Sequence, residues 1–151
     1  MPLPTTPISL IHSVYAAFQR GDIAYILNQI APEASWRESP MLPWGGNYRG
    51  PQGAGEFFQK LATYLETVSF EAHENLEHGD EILSFGSYTA RSRQTGRVGR
   101  AEWMFRWRVQ EGKITAWHSY IDTAALLATL DEANAPFSSH YSASAYATES
   151  R

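Results

Sequence analysis

The chain reads as an α+β domain, with helices packed on one face of an antiparallel sheet. Three observations predict this. Apolar residues recur at helical spacing as far as Leu65 and then switch to alternation. Four alternating segments follow, parted by His78-Gly79-Asp80, Thr95-Gly96 and Glu111-Gly112. A length of 151 residues fits one domain with a single core and a single pocket.

Each element follows in order. Residues 1–7 form a Pro-rich lead. Ser9 is placed to cap a first helix whose stripe is Leu10, Ile11, Val14, Tyr15 and Phe18. Gly21-Asp22 ends it, and Asp22 can cap a second helix carrying Ile23, Ile26, Leu27 and Ile30, which Pro32 stops. Residues 34–39 read as a short strand, and Pro40, Pro43 and Gly45-Gly46 mark a loop. Pro51 suits the first turn of a third helix with Phe57, Phe58, Leu61, Tyr64 and Leu65 on one face. Segments 68–77, 81–93, 98–110 and 113–122 are the four long strands, and 124–130 a short closing helix. The domain therefore covers 8–130, and 131–151 is expected to be a flexible or partner-packing tail.

The last two strands carry the most information. A two-residue Glu111-Gly112 turn sets Val109 opposite Ile114, Trp107 opposite Ala116, Phe105 opposite His118, Trp103 opposite Tyr120 and Ala101 opposite Asp122. All ten then share one face. A Thr95-Gly96 turn pairs Arg91 with Arg100, Ala90 with Ala101, Tyr88 with Trp103 and Gly86 with Phe105. Two rows result, Tyr88-Trp103-Tyr120 and Ala90-Ala101-Asp122. A carboxylate on an aromatic wall is costly unless solvated, paired or used. Asp122 is thus a candidate general base, and equally an N-cap for the closing helix. Tyr88 and Tyr120 are candidate donors to a developing enolate, and His118 an acid/base or orienting group. Trp103, Phe105 and Tyr120 form the expected substrate wall. The opposite face carries Met104, Arg106, Arg108, Trp117 and Ile121, with Arg106 able to stack on Trp117. That face is too apolar for bulk water, and a second copy packing there would account for it.

Composition excludes several classes. With no cysteine, disulfide and thiolate chemistry are ruled out, and a cytoplasmic location is expected. The first residues lack the pattern of a signal peptide, and no apolar run approaches a bilayer span. A formal charge of −4 gives no general attraction to nucleic acid or acidic membranes. His73 and His78 are five apart and do not form a zinc-binding pair, and Gly50–Gly55 lacks the Lys-Ser/Thr of a phosphate loop. No metal and no cofactor are expected.

Arg20-Gly21-Asp22 between two helices, Tyr48-Arg49-Gly50 before the helix with Phe57-Phe58, and Gly112-Lys113-Ile114 opening a strand that ends Tyr120-Ile121-Asp122 form an ordered set. Across 8–130 this resembles the SnoaL-like polyketide cyclase and ketosteroid-isomerase-like branch of the nuclear-transport-factor-two-like superfamily. The resemblance implies a cone of curved antiparallel sheet, four long strands plus one short, closed by three N-terminal helices around an apolar pocket. It commonly implies a homodimer. The last strand is also similar to that of limonene-epoxide hydrolases, where Asp122 matches the terminal aspartate of an Asp-Arg-Asp triad. Gly86 and Tyr88 stand where that family has the other two, and Trp36 and Glu38 where it has a water-holding Tyr and Asn. An altered triad speaks against epoxide hydrolysis. The resemblance turns Trp36 and Glu38 inward, so that Glu38 could assist Asp122, and it adds Phe57 to the substrate wall. The expected function is a cofactor-independent isomerase, cyclase or lyase acting on an apolar carbonyl or polyketide-like substrate. The alternative is a noncatalytic ligand-binding or dimerisation module.

Overall fold

Helix α1 (Pro7–Gln19) starts earlier than its apolar stripe requires, because Thr6 and not Ser9 is its cap. The Thr6 hydroxyl accepts from the Ser9 N–H at 3.2 Å, and Pro7 fills the first turn, where a missing N–H costs nothing. This computed structural model describes residues 6–130; the expected tail and most of the expected lead lie outside the described residues. Asp22 caps α2 (Ile23–Asn28) as expected, its carboxylate accepting from Tyr25 N–H at 3.1 Å.

The first departure comes at Pro32. Helix α2 ends before it, and β1 (Ile30–Glu38) runs straight through it. Pro32 falls where the pairing of β1 is irregular, between Ile30 and Ser35, so its absent N–H breaks no regular ladder. A short strand, β2 (Gly46–Arg49), emerges from the Pro/Gly loop and pairs antiparallel with β1. Helix α3 (Gly50–Tyr64) then leads into β3 (Leu65–His78), β4 (Glu81–Ser92), β5 (Val98–Gln110), β6 (Lys113–Ile121) and α4 (Thr123–Leu130). The six strands form one curved, unclosed sheet in the order β2-β1-β6-β5-β4-β3. The sheet is mixed, not purely antiparallel: the meander returns so that β6 lies parallel to β1. Apolar side chains of the helices meet its inner face in one core. Among the described residues, no helix is long and apolar enough to cross a membrane.

Two registers differ from the sequence expectation, with different consequences. Between β4 and β5 the turn is built on Ser92, whose hydroxyl accepts from Gln94 and Thr95 N–H at 3.2 and 3.1 Å. The connection is longer than two residues, so Arg91 faces Val98 rather than Arg100, and Tyr88 faces Ala101 rather than Trp103. A shift of two positions along the ladder keeps every side chain on its expected face. Between β5 and β6 the Glu111-Gly112 turn forms as expected, both residues at positive φ (53° and 75°), and Val109 faces Ile114. Then Thr115 is left over as a β-bulge, and Arg108 pairs with Ala116, Trp107 with Trp117 and Arg106 with His118. One extra residue reverses the rest of the strand.

His118, Tyr120 and Asp122 consequently leave the inner face, and Trp117, Ser119 and Ile121 take their place. Arg106 does not stack on Trp117. With Arg108 it clamps Glu81 (2.9, 3.0 and 2.6 Å), and the two guanidiniums hold that carboxyl well below its ordinary range. The outer face has thereby lost two of the apolar residues that suggested a partner. Leu83, Phe85 and Met104 remain on it, partly buried.

Gly86 sits opposite Trp103, where a Cβ would lie 2.3 Å from the indole and 2.1 Å from the Glu71 carbonyl oxygen. The missing side chain lets Trp103 lie flat across β4. Gly86→Ala is expected to cost about 1–3 kcal/mol through overpacking. A urea midpoint unchanged from the parent would show that the indole is not seated on this glycine.

Candidate active site: a buried carboxyl in an aromatic cavity

Alternation on β1 carries Ala34, Trp36 and Glu38 to the inner face, while Ser35 and Arg37 face out. The β1–β6 register sets Trp36 beside Trp117 and Arg37 beside His118, which brings Ser119 next to Glu38. Helix α3 contributes Phe57 and Phe58, and the loop after β1 contributes Trp44. Trp36, Glu38, Trp44, Phe57, Phe58 and Trp117 line a cavity of about 70 Å³, together with Tyr15, Phe70, Tyr88, Phe105 and Trp107 among others. Tilted and edge-to-face ring contacts hold the wall together: Trp36 lies 4.6 Å from Trp117 and Phe105 5.1 Å from Trp117, centroid to centroid.

Glu38 is the one carboxyl in that lining, and it is only 4% exposed. Burial pushes its pKa from 4.5 up to about 7, against the opposing pull of the Ser39 N–H, which donates to Oε1 at 2.9 Å. The neighbouring Ser119 hydroxyl also favours the ionised form, although it is buried without a partner of good hydrogen-bond geometry. Glu38 borders a surface groove too, formed with Arg37, Asn47, Ser119 and Tyr120, so it stands between an apolar interior and a polar opening.

Tyr88 lines the same cavity. Its hydroxyl bonds to Thr67 Oγ1 at 3.0 Å, and burial raises its pKa, opposed by Thr67 and Arg93 and reinforced by the negative charge of Glu38. The Trp36 indole N–H is buried and has no partner among the described residues. A carboxyl near neutrality, a phenol and an unsatisfied N–H therefore border one apolar space. That set can exchange a proton with a ligand and stabilise an oxygen on it.

The structure thus brings together five residues expected at the site, Glu38, Tyr88, Trp36, Phe105 and Phe57. Four others lie elsewhere. Asp122 is exposed, outside the cavity, and caps α4 by accepting the Ala125 N–H at 3.2 Å. His118 meets Ser35 Oγ at 3.0 Å on the outer face, where burial and then Arg37, Arg106 and Arg108 lower its pKa. Tyr120 is 47% exposed, and its hydroxyl accepts from Arg37 at 3.2 Å. Trp103 is buried behind the cavity wall, stacked between Phe105 (3.9 Å) and Phe70 (5.1 Å). Sequence reasoning missed Trp117, Ser119 and Trp44. A signal for the first two exists: large apolar residues change parity between Ile114 and Trp117, which marks a bulge between them. Trp44 lies in a Pro/Gly loop with no periodicity to reveal it.

Residues 11–117 match the SnoaL-like domain family. The chain belongs to that family. Solved structures share the fold of this SnoaL-like protein. An NTF2-like protein from Burkholderia thailandensis superposes with a TM-score of 0.78 at 28% identity, covering 83% of this chain and 98% of that one. TerC, crystallised with polyporic acid, superposes with a TM-score of 0.75 at 26% identity, covering 83% and 98%. The patulin synthesis protein F of Aspergillus clavatus is 30% identical over 73 residues, which is 47% of this chain and 37% of that protein's length. The match therefore spans a little over a third of that relative's length.

The Glu38 pKa makes stability depend on pH. Because the folded state raises the carboxyl from 4.5 to about 7, its contribution is fully present below pH 4.5 and is lost as pH rises through 7. At about 1.4 kcal/mol for each tenfold change in proton affinity, the loss is about 3 kcal/mol. Glu38→Gln is therefore expected to gain on the parent by up to that amount between pH 5 and 8, read as a rising difference in urea midpoint. A difference that stays constant across this range would mean that Glu38 titrates as an exposed carboxyl.

Proposed function

We propose that this SnoaL-like protein is a cofactor-independent proton-transfer catalyst, an isomerase, cyclase or lyase acting on a small apolar carbonyl compound. Glu38 is its general base, and Tyr88 donates to the developing enolate oxygen. The observation that supports this most is a carboxyl of near-neutral pKa, isolated in an aromatic cavity that it shares with a phenol. The Glu38 carboxylate takes the proton from the carbon next to the carbonyl, and the C–H electron pair becomes the enolate. The neutral carboxylic acid then returns that proton to carbon, or the enolate carbon attacks a second carbonyl to close a ring and the acid gives its proton to the alkoxide so formed, which restores the Glu38 carboxylate. Thr67 can donate to the Tyr88 oxygen, leaving the phenolic hydrogen for the ligand. The relative crystallised with polyporic acid supports the small-molecule reading. The proposal includes a homodimer through the outer sheet face, at Leu83, Phe85 and Met104.

The test is incorporation of solvent deuterium into 2-tetralone, whose acidic C–H bonds flank a ketone, by the parent and by Glu38→Gln. A cavity of only about 70 Å³ favours one rival reading, a binding module of the same family without turnover. Binding of 2-tetralone with no deuterium incorporated would select that reading.

A further inference from the structure

Phe18, Phe58, Leu61 and Phe70 line the aromatic cavity and also a groove of about 650 Å³ at the sheet edge. The groove runs between the α1–α2 turn, the end of α3 and β3. These four side chains are common to both linings. A fused-ring ligand, 2-tetralone included, is larger than the cavity alone and reaches Tyr88 and Glu38 only by extending into the groove as well.

The charge of the groove is the opposite of the chain's. The sequence holds 16 acidic against 12 basic residues, yet the groove is lined by Arg20 and Arg93 and by no carboxylate. Arg20 is occupied: it pairs with Asp22 at 3.2 Å and lies over the Tyr25 ring. Arg93 has no carboxylate partner among the described residues. Its Nε donates to the Ala62 carbonyl at 2.6 Å and its backbone N–H to the Tyr64 carbonyl at 2.9 Å, which fixes it against the end of α3, with neither Nη group bonded to any of the described residues. Thr67 lies in the same groove wall, and its hydroxyl bonds to the Tyr88 hydroxyl in the cavity lining.

We propose that Arg93 is an anion-recognition residue, which binds the carboxylate of an aromatic ligand whose ring system passes between Phe18, Phe58 and Phe70 towards Tyr88. A guanidinium meets a carboxylate through two parallel N–H bonds, and one already anchored through Nε loses little freedom on binding. The positive charge of Arg93 also opposes the rise in the Tyr88 pKa, so the two groups lie within electrostatic range of each other. This inference rests on the cavity being a ligand site, and it names the class of ligand: an aromatic carboxylate, not a neutral ketone alone.

The experiment is calorimetric titration of the full chain with 2-naphthoate and with its neutral isostere 2-naphthamide. The parent is expected to prefer the naphthoate about tenfold, as for a charge-assisted bond discounted for its exposed groove. Arg93→Gln is expected to remove the preference and leave naphthamide affinity unchanged, and Arg93→Lys to retain part of it. Arg91→Gln, whose guanidinium pairs with Glu66 outside the groove, is expected to behave as the parent. Equal affinity of the parent for both compounds, or a preference that survives in Arg93→Gln, would overturn the assignment while leaving the cavity as a ligand site. No binding of either compound by any variant would overturn both.

Discussion

Glu38→Gln is expected to lower deuterium incorporation into 2-tetralone by roughly 10²–10⁴-fold, the usual contribution of a positioned general base. The amide matches the carboxyl in shape and suits the apolar site, so folding is preserved while the proton acceptor is gone. The pH profile separates this from a packing effect. A carboxyl with a pKa of about 7 is a base only above that pH, so the parent's rate rises through neutrality and levels off beyond it. The residual rate of Glu38→Gln should show no inflection there. The same burial that makes Glu38 a competent base weakens the fold when it ionises, so activity and stability change in opposite directions between pH 5 and 8. A profile that still turns at pH 7 in Glu38→Gln would place the base elsewhere.

Trp117→Ala is expected to cost about 3–5 kcal/mol, and His118→Ala, one residue further along, about 1 kcal/mol or less. Trp117 is 4% exposed and packs against Trp36, Phe57 and Phe105 at 4.6–5.2 Å. Among the described residues, the one hydrogen bond that His118→Ala removes is that to Ser35. Small domains hold about 5–15 kcal/mol in total, so the first change alone removes a large share. Paired urea titrations settle the register. Comparable losses in the two variants, or a larger one in His118→Ala, would mean that the bulge at Thr115 does not form.

The elements read well from the chain because their causes are local. The helical stripes of α1 and α3, the Asp22 cap, Pro51 in a first turn and the Glu111-Gly112 hairpin each depend on residues within a few positions. So does the parity that puts Glu38 on the same side as Trp36. Asp122 carries the instructive failure. Its role as a helix cap is written in the neighbouring residues and is observed. Its place in the cavity required an unbroken ladder over the preceding strand, and Thr115 interrupts that ladder.

Sequence alone determined the order of the helices and of the strands other than β2, the inner faces of β1, β4 and β5, and the type of the last turn, since short-range sterics, capping and alternation are enough for these. Tertiary structure decided which carboxyl is buried, where strand pairing slips, and that β6 returns alongside β1. The reason is energetic competition: an extra residue in a strand costs little locally, and what fixes its position is the burial of Trp117 and Ile121 against partners some sixty to eighty residues distant in the chain, Trp36 and Phe57 among them. No window of the sequence contains both sides of that contact.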